Sequence, residues 1–243
     1  MLRFTAVAVF AALACFSSRA DAQAIYYSNT TNFTGQGFAN GGGGLIGSNT
    51  ITRLVADDIN FGGTAVPYTI LGFQFSVANF NTTTVNARPR VRFYNDDGTG
   101  SGPGTLIAGF SFAPITFAAG PTVQVFNATG VNFTVDGSFW AGITFDDSNG
   151  TTGATLAQLN NLGQGIFNPP TVGSSTDIFF QTTANGDFFL SNPTGGFFNF
   201  GGNPVANFGW QFTIQSVPEP SALMLIGAVV PAFWLRRRRA SVN

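Results

Sequence analysis

The chain has 243 residues, and its ten basic side chains are all arginine, with no histidine and no lysine. Its single cysteine, Cys15, and its single glutamate, Glu219, both lie near the ends. The long middle segment therefore has no imidazole, thiol, amine or glutamate, which excludes Ser-His-Asp and Cys-His catalysis, histidine or thiolate metal sites and lysine nucleophiles.

The N-terminus reads as a signal peptide over 1–24. Arg3 gives a short positive region, Phe4–Phe16 an apolar run, and Ser17–Ala24 two small-residue cleavage options, Ala20-Asp21-Ala22 and Ala22-Gln23-Ala24. The apolar run is too brief to span a bilayer comfortably. Leu13-Ala14-Cys15 carries part of a lipoprotein box, but Ala12 stands where that box has leucine, so ordinary cleavage is the expectation.

The body, 25–216, has nine aspartates against four arginines (Arg53, Arg88, Arg90 and Arg92), a net charge of −5. That balance argues against binding a nucleic-acid backbone. From Ile25 onward turn residues separate short runs of alternating hydrophobicity, the mark of strands with one buried face. The predicted strands are Ile70–Val77, Arg88–Tyr94, Thr105–Phe112, Thr122–Phe126, Val131–Val135, Phe139–Phe145, Asp177–Gln181, Asp187–Leu190 and Phe208–Gln215. The glycine-rich stretch Asn32–Ser48 reads as a long surface loop, and Ala154–Leu162 as one or two helical turns or a further strand. The expected fold is all-β, a single jelly-roll-like β-sandwich domain. A signal helix before it and a transmembrane helix after it complete the expectation. Arg88–Ile107 (RPRVRFYNDDGTGSGPGTLI) together with Phe139–Asp146 (FWAGITFD) resembles β-sandwich domains of exported proteins that carry C-terminal anchors.

With only aspartate and hydroxyl groups left, three chemistries come into question. The turns Asn95-Asp96-Asp97-Gly98 and Asp146-Asp147-Ser148-Asn149 are oxygen-rich, so Asp96, Asp97, Asp146 and Asp147 are candidate calcium ligands. Neither turn has EF-hand spacing, and Asp and Asn populate ordinary turns by bonding their own backbone. Trp140 and Trp210 are candidates for a sugar-stacking platform, although both sit in phenylalanine-rich alternating strands that suit core packing. An aspartate-based hydrolase would need two carboxyls from separate segments about 5–9 Å apart. Adjacent aspartates such as Asp57-Asp58 point to opposite faces of a strand and do not make such a dyad.

The C-terminus has three parts in unbroken order. Val217-Pro218-Glu219-Pro220-Ser221 is extended and unsuited to helix. Ala222–Leu235 is uncharged and largely apolar, and Arg236, Arg237, Arg238 and Arg239 close it with four cations that favour the cytoplasmic side of a bilayer. The apolar stretch is short for a span, about 21 Å as helix at about 1.5 Å per residue, which snorkelling arginines and local thinning would accommodate. This order resembles the PEP-CTERM sorting domain over Val217–Arg239, the last tenth of the chain. The resemblance implies a tail that holds an exported protein in the inner membrane until an exosortase, a membrane-embedded cysteine protease, cuts near the Pro-Glu-Pro segment. Pro218, Glu219 and Pro220 would then be the recognition residues and Arg236–Arg239 the retention signal.

The resulting expectation is a non-enzymatic cell-surface or matrix protein with an exosortase and the membrane as partners and no cofactor. The alternative is a carbohydrate-binding module for exopolysaccharide, with calcium as an accessory ion, and the third reading is the aspartate-based hydrolase.

Overall fold

The computed structural model describes residues 23–63, 67–183 and 191–215. The expected signal peptide up to Ala22, Asp187–Leu190, the motif Pro218–Pro220, the apolar stretch and Arg236–Arg239 lie outside the described residues.

Threonine, valine and phenylalanine dominate the runs between turns, and such side chains pack well on a pleated, half-buried surface. Among the described residues they form fifteen strands in two antiparallel sheets. The first sheet contains β1 (Gln23–Ser28), β2 (Phe33–Ala39), β6 (Tyr68–Asn79), β10 (Thr122–Val135), β12 (Leu162–Phe167) and β15 (Trp210–Gln215). The second contains β3 (Gly44–Ile46), β4 (Asn49–Ile51), β5 (Val55–Asn60), β7 (Val85–Tyr94), β8 (Leu106–Ser111), β9 (Ile115–Phe117), β11 (Ser138–Asp146), β13 (Phe179–Thr182) and β14 (Gly195–Phe198). The all-β expectation holds, and the two sheets share one core in the manner of a β-sandwich.

Each sheet is organised by one long strand. In the first, β6 pairs with β10 along one edge and with β15 and β12 along the other. In the second, β11 pairs with β7 on one edge and with β5 and β4 on the other. The inner faces meet through phenylalanines. Phe73 and Phe212 of the first sheet contact Phe93 and Phe139 of the second, with ring centroids 5.1 Å apart for Phe73–Phe93 and for Phe139–Phe212. Such pairs add about 0.5–1.5 kcal/mol each beyond the area they bury.

Several expectations change in detail. Thr122–Phe126 and Val131–Val135 are one strand, β10, whose register against β6 shifts between Thr129 and Phe133. Gly130, at φ 72°, takes the left-handed backbone at that bulge. The glycine-rich stretch Asn32–Ser48 is not a long loop: it supplies β2 and β3. Its glycines serve close approach, because a Cβ on Gly37 would lie 2.8 Å from the Gln164 carbonyl of the paired β12. Ala154–Leu162 resolves into a short helix, α1 (Leu156–Asn160), started by a Thr155–Gln158 capping box and followed directly by β12.

Gln23–Gln215 makes one compact unit. Its first and last residues are register partners, Gln23 with Gln215, in the pairing of β1 with β15. Among the described residues no helix is long and apolar enough to cross a membrane.

Candidate functional site

A cleft of about 410 Å³ opens on the outer face of the second sheet, lined by Asp58, Asp96, Ser138, Trp140, Ile178 and Phe197 among others. Its floor follows from register: Asp58 of β5 and Trp140 of β11 are cross-strand partners and point to the same face. On one side the loop after β7 brings Asp96, which accepts a hydrogen bond from Ser138 Oγ at 2.6 Å. The same loop brings Ser101, whose carbonyl accepts from Trp140 Nε1 at 2.9 Å. Phe197 of β14 flanks the Trp140 ring, with centroids 5.9 Å apart.

The other side is a bulge. Phe179 pairs with Asp57, and Ser174 bridges to Asn60, so the four residues Ser175–Ile178 face only Asp58 and Ile59. Bulges of this kind re-aim side chains beside functional sites. Here the bulge turns Ile178 and Thr176 into the cleft and sets the Thr176 N–H against both Asp58 oxygens, at 3.0 and 3.2 Å. Ser175 Oγ lies 3.0 Å from Asp58 Oδ1 and 2.9 Å from Asp57 Oδ1.

Strand alternation does separate the two aspartates, since Asp57 points into the core and Asp58 to the cleft. Ser175 at the strand edge nevertheless touches both. Asp57 is fully buried and its other oxygen accepts the Phe208 N–H at 2.8 Å. Burial, with the Asp58 charge beside it, pushes its carboxyl well above the usual carboxylate range. Burial also raises Asp58. Tyr27, reaching in from β1, is raised by burial and by the same two carboxylates. Sequence reasoning missed this group, although it had a signal. Val55 and Ile59 are core residues, so an aspartate midway between them has inward parity, where an ionisable side chain is rare without a partner.

The predicted site residues separate. Trp210 is fully buried in the first sheet, stacked on Phe212 at 6.0 Å. Trp140 belongs to a second small cluster with Leu54, Ala56, Tyr94 and Phe180 on the outer face of the other sheet, and is only 4% exposed. The two tryptophans therefore form no common sugar platform. Inward parity on β15 consumes one, and only an edge of the other borders the cleft.

The four candidate calcium ligands are likewise apart. Asp146 is neutralised by two guanidinium groups: Arg88 Nε donates to it at 2.8 Å, and Arg90 Nε makes a close ion pair with its other oxygen. Asp147 accepts the Thr50 N–H at 3.0 Å. Asp97 accepts both the N–H and the hydroxyl of Thr105, at 2.6 and 2.7 Å, and these bonds hold its carboxyl below the usual value. Asp96 and Asp146 lie at opposite ends of β11, so the two turns do not converge. Among the described residues no group of three or more His, Cys, Asp or Glu is placed to hold a metal. Comparison with family models, with curated proteins and with solved structures finds no match to this chain.

Proposed function

We propose that this chain is an exported cell-surface or matrix protein without catalytic activity. In this reading a jelly-roll-like sandwich is held in the inner membrane by its tail and is processed there by an exosortase. The observation that carries the reading is the order of Pro218-Glu219-Pro220, the apolar Ala222–Leu235 and the cations Arg236–Arg239. The fold is compatible with it, because Gln23 and Gln215 are neighbours and both terminal segments join the body at one place. Pro218 follows the end of β15 by three residues. In a host with the cognate exosortase, Glu219→Gln should leave a full-length, membrane-retained product on immunoblots of membrane fractions. Unchanged processing overturns recognition at this motif.

A second reading, a glycan-binding module for exopolysaccharide, is favoured by the cleft. Its polar rim of Asp58, Asp96, Ser138 and Thr176 stands beside the apolar faces of Ile178 and Phe197, the mixture that orients a small ligand. Phe197 is 43% exposed and offers the open ring that Trp210 does not. A glycan array probed with the chain and with Phe197→Ala tests it. Signals lost in the variant support the cleft, and a blank array or equal signals reject it.

A further inference from the structure

The segment 168–178 laces the two sheets together. Val172 bridges to Ser28 at the end of β1 in the first sheet, and Ser174 bridges to Asn60 at the end of β5 in the second. At this crossing oxygen atoms gather in unusual number. Ser175 Oγ has Asp57 Oδ1 at 2.9 Å, Asp58 Oδ1 at 3.0 Å, Asn207 Oδ1 at 2.9 Å and the Thr176 carbonyl at 3.4 Å. A hydroxyl carries one proton, so it can donate to only one of these four acceptors. The other acceptors around Ser175 are left without its proton.

Two further groups at the crossing are buried and unpartnered. Asn29 gives its amide nitrogen to the carbonyls of Phe167 and Phe208, at 2.8 and 3.1 Å, and its Oδ1 accepts nothing although the residue is 1% exposed. The Tyr27 hydroxyl lies close to Asn29, Ser175 and the two aspartates, yet it makes no hydrogen bond of ordinary geometry and is fully buried. The Asn207 side chain is fixed from behind, its Nδ2 donating to Asn168 Oδ1 at 3.1 Å. Burial is the largest influence on both Asp57 and Asp58, and the Asp58 charge is the next largest on Asp57. Buried oxygens short of donors are costly, and a cation at this crossing would satisfy several of them at once.

We propose that Asp57, Asp58, Ser175 and Asn207, with Asn29 beside them, form a calcium-binding site that pins the segment 168–178 to both sheets. All the donors are oxygen, which suits a hard cation and not zinc or copper. Two carboxylates with neutral amide and hydroxyl oxygens place the affinity at the weak end, about 0.1–1 mM, as in extracellular modules. Asp58 and Thr176 also line the cleft, so the ion orders one of its walls. The site stands without the glycan reading.

The test is calorimetric titration of calcium chloride into the full chain after EDTA treatment and dialysis, with a thermal melt at each calcium concentration. One saturable site and a calcium-dependent rise in the melting midpoint are expected. Asn207→Ala and Asp58→Asn, checked for native near-ultraviolet circular dichroism, should weaken binding at least tenfold. Asp97→Asn, in a turn outside the cluster, should bind as the parent does. Absence of saturable calcium binding in the parent chain overturns the site. So does parental affinity in Asn207→Ala or Asp58→Asn, or a loss that appears only in Asp97→Asn.

Discussion

Asp146 on β11 and Asp57 on β5 are both fully buried carboxylates on strands that pair with each other, yet their surroundings are opposite. Asp146 has Arg88, Arg90 and the Ser148 N–H around it, so its negative charge is met by positive charge. Asp57 has another carboxylate, the Ser175 hydroxyl and the N–H groups of Phe208 and Asp58. The contrast teaches that an Asp-Asp dipeptide carries no fixed meaning. On β11 the first aspartate closes an ion-pair network across to β7, whereas on β5 the charge beside it is another carboxylate. Only the first is electrostatically complete within the chain.

The comparison breaks most visibly at Asp146. Asp146→Ala would leave two arginines facing each other in a site with little water, and removing one side of a buried pair costs about 3–5 kcal/mol. Urea unfolding should show that loss with and without calcium alike. A loss below about 1 kcal/mol, the range of exposed ion pairs, would mean that the network is solvated and the contrast with Asp57 is false.

Asp57→Asn sharpens the other half. The amide oxygen still accepts from Phe208, and its NH2 supplies donors to a set of oxygens that lacks them. In EDTA the variant should therefore lie within about 1 kcal/mol of the parent, the scale of one net hydrogen bond. In calcium the two should separate, because only the parent gains stability from the ion. Equal melting shifts in the two proteins would mean that Asp57 holds a proton and no ion.

The fold was legible where alternation was clean. Phe139–Phe145 reads unambiguously as a strand, and β11 spans it. The misses have a common cause, burial on both faces or backbone packing that removes the alternation. In β12, Leu-Gly-Gln-Gly-Ile-Phe, all six residues are buried and two are glycines. There a Cβ on Gly163 would sit 1.9 Å from the Phe38 carbonyl of β2, so close strand approach imitates the composition of a loop. The candidate site was half legible. The aspartates of β5 stand in plain view, but the residue that joins them, Ser175, is 117 positions beyond Asp58, and its role depends on a bulge that no local pattern announces. Trp140 and Trp210 show the converse. Their type suggests a ligand surface, and strand parity, readable at Trp210 from Phe208 and Phe212, puts that one in the core.

The exposed turn at Asp97 gives the smallest expected effect and a limit to the comparison. Its carboxyl is held below the usual value by the Thr105 hydroxyl and N–H, the reverse of Asp57. A group whose pKa is lower in the folded chain than in the unfolded one adds stability above the ordinary carboxylate range. That contribution disappears as pH falls through the folded value. Asp97→Asn should therefore be slightly less stable than the parent at neutral pH, and the gap should close on acidification. The measurement is the unfolding midpoint of both proteins across the acid range, in EDTA. A gap that persists unchanged into strong acid would show that Asp97 acts through turn geometry alone and not through its charge. If the gap closes, the same residue type serves this fold in three electrostatic settings: ion-paired at Asp146, buried beside a second carboxylate at Asp57, and hydrogen-bonded in water at Asp97.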